Sequence, residues 1–143
     1  MASNQPTNPP PNAPPNGSPI PPVSMGPYKY TKEQLDKYYQ HIGFTPEAAP
    51  DNTEEFNIWR RKQLARIQLR HMERVPFESL SLHYSKTRTL SLHPEDLYDK
   101  IVNKGRGGYC MEVNQFLATI LRTEGFKLMS VGGRVLLGKM GGW

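Results

Sequence analysis

Cysteine is almost missing from this chain: its 143 residues hold one, Cys110. A single thiol closes no internal disulfide and builds no zinc site of several thiolates, so a cross-linked secreted scaffold and a zinc-thiolate module are both excluded. Long apolar runs are missing too. No stretch approaches the roughly 20 residues that span a bilayer, and nothing hydrophobic follows the Met1-Ala2-Ser3-Asn4 start as a secretory signal requires. A cytoplasmic protein with no membrane partner is the expectation. Large apolar side chains are scarce in residues 1–27, which carry 10 of the 14 prolines. That segment cannot bury a core, and it reads as a Pro-rich disordered or extended tail.

About 116 residues remain for a single modest core. The net charge of +5 and pI near 9.4 raise the question of nucleic acid. Much of the positive charge falls on one expected helix, where Lys62, Arg66, Arg70 and Arg74 recur every fourth residue. With no interleaved aromatics and no nucleic-acid motif, a solvated helix face is expected rather than a phosphate-binding one.

Punctuation along the chain predicts helices. Thr31 with Gln34 makes a capping-box pattern ahead of Leu35, Tyr38 and Tyr39, and Gly43 ends that helix. Asn52 or Thr53 caps a longer one, stopped at Val75-Pro76, with Phe56, Trp59, Leu64, Ile67 and Met72 expected to face inward. Residues 77–92 read as a loop with short ordered pieces. A third helix starts at His93-Pro94, buries Leu97 and Ile101 with Tyr98 a further candidate, and ends at Gly105.

A fourth helix runs from Cys110 to Arg122 or Glu124, with Gly125 as its stop. Its apolar stripe is Val113, Phe116, Leu117, Ile120 and Leu121, and Cys110 and Asn114 are placed on the buried side with them. Residues 126–137, around Gly132-Gly133, predict a bent strand or a hairpin. No internal repeat occurs.

Cys110 at a helix start has two readings. It is a small buried hydrophobe, or it is a nucleophile whose thiolate is stabilised by orphan backbone N–H groups, which would later hold an oxyanion. Gly107 and Gly108 allow a sharp turn and substrate approach, or they are a plain turn. Glu112 reads as dipole complementation. His41, His71, His83 and His93 are all conceivable bases, none singled out by spacing, and His71 reads as structural.

Two strings taken together decide between the readings. Arg106-Gly107-Gly108-Tyr109-Cys110-Met111-Glu112-Val113-Asn114, preceded by Val75-Pro76-Phe77-Glu78-Ser79-Leu80, closely resembles the arylamine N-acetyltransferase family, where they read R-G-G-x-C-x-E-x-N and V-P-F-E-N-L. The likeness covers about residues 30–138, including the Pro-Glu-x-Leu-x-x-Lys-Ile approach to the second string. Ser79 departs from the usual asparagine.

The resemblance implies a mainly α chain: a helical bundle over 28–125 carrying the cysteine, then at 126–143 the first one or two strands of a β-barrel with a cysteine-protease-like core. It implies ping-pong transfer of an acetyl or related acyl group from coenzyme A, through Cys110, to an arylamine or arylhydrazine. Acetyl-coenzyme A is then a co-substrate, with no bound cofactor and no metal. Arg106, Glu78, Gly107, Gly108 and Asn114 support the site, and Phe77 and Tyr109 line the substrate pocket. The family's triad histidine and aspartate lie further downstream than the 33 residues after Cys110, so a truncated and inactive form is expected. A non-catalytic interaction fragment, or another Cys-His-Asp enzyme such as a peptidase or transglutaminase, are the rival expectations.

Overall fold

The computed structural model describes residues 28–84, 86 and 89–133. Helix α1 spans Lys32–Ile42 and helix α2 Thr53–Arg74. The short α3 covers Leu80–Tyr84, and α4 covers Pro94–Tyr98 and runs on as a π-helical turn at Asp99–Asn103. Helix α5 is Cys110–Thr123. The described part is thus mainly helical, as expected.

Each boundary has a local cause. The α1 capping box is complete, with Gln34 N–H donating to Thr31 Oγ1 at 3.2 Å and Thr31 N–H to Gln34 Oε1 at 2.9 Å. Gly43, at φ 66°, ends α1 in the left-handed region that a side chain disfavours. Asn52 caps α2 through Glu54 N–H, and α2 stops one residue before Val75-Pro76. Gly125, at φ 80°, follows α5.

The inner face of α2 differs from the expected one. Ile67 is buried and Leu64 packs against the core, but Met72 is 70 % exposed, and Gln63 and His71 take the buried positions. Residues 63, 67 and 71 follow one another at about 40° on the helix, whereas Met72 lies about 140° round from Ile67. A five-residue step from a core position leads to solvent. The basic stripe is partly paired, Arg66 with Glu47 and Arg70 with Glu73.

The core is aromatic where α1, α2, α4 and α5 meet. The Phe116 ring centroid lies 5.4 Å from Tyr38, 5.8 Å from Tyr30 and 6.1 Å from His71. Leu97, Tyr98, Ile101 and Val102 close it from the α4 side, and Tyr30 Oη donates to the Pro94 carbonyl at 2.7 Å. The ordered piece expected within 77–92 is α3. Residues 126–133 form no strand, contrary to expectation, and 134–137 of the expected strand lie outside the described residues.

Candidate active site

The two diagnostic strings lie about 30 residues apart in sequence and are joined by backbone. Glu78 N–H donates to the Gly108 carbonyl at 2.9 Å, and Gly108 N–H to the Pro76 carbonyl at 3.2 Å, forming an isolated parallel bridge between Phe77 and Gly108. The pairing explains Gly107, and the Glu112 side chain explains Gly108. A Cβ on residue 107 would sit 1.6 Å from the Pro76 carbonyl oxygen, and one on residue 108 would sit 2.8 Å from Glu112 Oε2. Neither position has room for a side chain.

Four charges lie behind the paired strings. Arg106 Nη2 donates to Glu78 Oε1 at 2.8 Å and to Ser81 Oγ at 3.2 Å. Lys100 Nζ lies 2.8 Å from Glu112 Oε1 and 3.7 Å from Glu78 Oε1. Two carboxylates and two cations leave the group neutral, as partly buried charge requires. Burial would raise the Glu78 carboxyl, but the Leu80 N–H, Lys100 and Arg106 outweigh it and hold the group below its usual range.

Glu112 does more than complement the helix dipole. Its side chain is 4 % exposed, and its Oε2 accepts the N–H of Tyr109 at 3.2 Å, tying the residue before the cysteine to the first turn of α5. Sequence reasoning passed over the pairing of Glu112 with Lys100. The available signal was a lysine between the core residues Leu97 and Ile101, within the string leading to the glycines.

Cys110 is the first residue of α5 and is exposed, not buried on the apolar stripe. Asn114 is exposed as well, so the expected buried thiol-amide neighbourhood does not form. Measured from Phe116, Cys110 lies about 120° and Asn114 about 160° round the helix, while Glu112 and Ile120 share the Phe116 side. The thiol is exposed, and one turn further along α5, at Val113 and Asn114, begins a groove of about 300 Å³ lined also by Phe77, Met72, Val75, Leu117 and His71, of which Cys110 itself is not part. Tyr109 lies outside that lining, and its hydroxyl donates to Met111 Sδ at 3.0 Å.

Among the described residues no imidazole hydrogen-bonds Cys110. His71 is buried, Nδ1 lies 3.1 Å from Tyr38 Oη, and burial with the neighbouring His41 lowers its pKa to about 4. It is a neutral core group, in keeping with the structural reading.

The N-acetyltransferase family profile matches residues 62–143, taking in both strings, Lys100 and all of α5. The chain belongs to the arylamine N-acetyltransferase family. An N-malonyltransferase of Fusarium pseudograminearum is 36 % identical over 118 residues, covering 76 % of this chain and 34 % of that protein. A pineal gland arylamine N-acetyltransferase of Gallus gallus is 43 % identical over 74 residues, 52 % of this chain and 25 % of that protein. The rabbit (Oryctolagus cuniculus) arylamine N-acetyltransferase 1 is 35 % identical over 101 residues, 71 % of this chain and 31 % of its own length. The chain thus spans about a third of the length of the curated relatives it matches, or less. The family is one of acyltransferases, so by family the chain groups with these and not with the peptidase or transglutaminase families.

Proposed function

We propose that Cys110 is the acyl-accepting nucleophile of an N-acyltransferase that works by ping-pong transfer. In the first half, the Cys110 thiolate attacks the thioester carbonyl of an acyl-coenzyme A, a new carbon–sulfur bond forms, and coenzyme A leaves as its thiolate, which takes up a proton. In the second, the nitrogen of an arylamine or arylhydrazine attacks the acylated cysteine, gives up a proton, and Cys110 is released. The observation that carries this reading is the exposed thiol at the first turn of α5, beside a backbone-locked glycine loop. First-turn N–H groups, which lack intrahelical partners, are the proposed donors to the oxyanion of the tetrahedral intermediate.

The neighbouring groove, with Phe77, Val113 and Leu117 in its apolar lining, is the proposed seat for a flat ring. Phe77 is 71 % exposed and would be covered by an arriving aromatic acceptor. Acetyl and malonyl groups are both proposed donors, following the relatives named above. A cytosolic setting goes with this reading, because a catalytic thiol needs a reducing compartment.

The first half-reaction by these residues alone is slow. With no imidazole on Cys110 among the described residues, the roughly 10²–10⁴-fold help of a general base is missing, and the helix terminus acts by itself. Intact-mass measurement after incubation with acetyl- or malonyl-coenzyme A tests this. A slow gain of one acyl group is expected, absent in Cys110→Ala and removed by an added arylamine. Acylation that survives Cys110→Ala overturns the assignment, and fast stoichiometric acylation overturns the slow step.

A further inference from the structure

We infer that Lys100 is the positioning residue that sets Cys110, by tying both diagnostic strings to one point beneath the first turn of α5. The inference rests on the reading of Cys110 as the acyl-accepting thiol. Lys100 holds the loop at two places. Its carbonyl accepts Arg106 N–H at 3.1 Å, at the start of the glycine string, and its ammonium reaches Glu112 at 2.8 Å and Glu78 at 3.7 Å, one carboxylate from each string. No other described residue contacts this set in that way.

The chain of contacts ends at the thiol. Glu112, fixed by Lys100, accepts the N–H of Tyr109, and Tyr109 is bonded directly to Cys110. The π-helical turn at Asp99–Asn103 contributes here, since it carries Lys100 under the loop and closes with Lys104 N–H on the Asp99 carbonyl at 3.0 Å. Removing the ammonium leaves Glu112 nearly enclosed without a counterion, because Arg106 is already on Glu78. Glu112 then turns toward water and releases Tyr109 N–H. The first-turn N–H groups that should meet the oxyanion lose their fixed direction.

Lys100→Met and the paired change Lys100→Gln with Glu112→Gln separate positioning from folding. The second variant buries no net charge and is expected to unfold near the wild-type temperature. In both, amide hydrogen exchange at Tyr109 is expected to quicken at least tenfold, and acylation of Cys110 by acetyl-coenzyme A to slow at least tenfold. Alkylation by iodoacetamide, which develops no oxyanion, should change less than threefold. A purely structural role predicts something else: the two cysteine reactions slow together, in step with thermal stability, and the paired variant recovers. That pattern overturns the inference. So does an unchanged Tyr109 exchange rate in folded Lys100→Met, and if that variant does not fold, the paired variant is compared with Glu112→Gln alone, equal Tyr109 exchange in the two overturning the inference. If the unaltered chain takes no acyl group, the acyl-transfer reading fails by itself, and the Tyr109 exchange rates still decide the role of Lys100.

Discussion

Gly107 shows how a single hydrogen in place of a methyl group fixes this site. The approach of the Pro76 carbonyl to within 1.6 Å of a hypothetical Cβ cannot be relieved by a rotamer change, since both partners are backbone. Gly107→Ala must either break the Phe77–Gly108 bridge or push the strings apart. The expected cost is about 3 kcal/mol, at the upper end for overpacking, seen as a lower urea midpoint together with slower Cys110 acylation. Gly132→Ala is the control, as nothing lies within 4 Å of its Cβ position, and it should change neither quantity. The requirement for glycine was visible in the string as a need for a tight turn. Its actual cause, a carbonyl from a segment 31 positions earlier, was not. A pattern reports local conformation, whereas a close approach depends on which distant segment arrives.

Helix ends were legible for the same reason that this contact was not. Thr31 with Gln34, Asn52, Val75-Pro76, Gly105 and Gly125 act on N–H and C=O groups within a few residues, so their effect is written in neighbouring letters. Helix faces depend on partners. On α2 the apolar letters pointed to Met72, but the side packed on Tyr38 and Phe116 carries Gln63, Ile67 and His71. Each polar side chain there finds a partner, His71 Nδ1 the buried Tyr38 hydroxyl and Gln63 the surface carboxylate of Glu47, although His71 Nε2 is buried without one. Similarly, α5 turns Cys110 outward because Glu112 takes the buried place one turn before Phe116. Substitution separates the faces: Ile67→Ala is expected to cost about 2–4 kcal/mol in urea unfolding, and Met72→Ala less than about 0.5 kcal/mol.

At the scale of the whole molecule, the aromatic core makes stability depend on pH. Burial first, and then His41, lowers His71 to about 4, below the roughly 6.5 of an exposed imidazole. As pH falls from 6.5, the unfolded chain binds the proton while the folded chain still excludes it, so stability is complete above about 6.5 and is lost progressively toward 4. The expected loss between pH 7.5 and 5 is about 2 kcal/mol, read from urea midpoints at the two values. His71→Gln should flatten that window. Glu78, held below its usual range, acts in the same direction at lower pH, its contribution fading as pH drops through its folded value. The sequence identified His71 as structural. It could not show the burial against Phe116 and the nearness of His41 that keep it neutral.

The bridge between Phe77 and Gly108 also sets an order of events. It closes a loop of about 30 residues with two backbone hydrogen bonds, backed by the ion pairs of Glu78 with Arg106 and Lys100, on a base of docked helices. The thiol's surroundings are therefore expected to open while α2, α4 and α5 stay docked, read as faster amide exchange at Glu78 and Gly108 than in the helix interiors. The setting of Cys110 is then the first part of the fold expected to loosen.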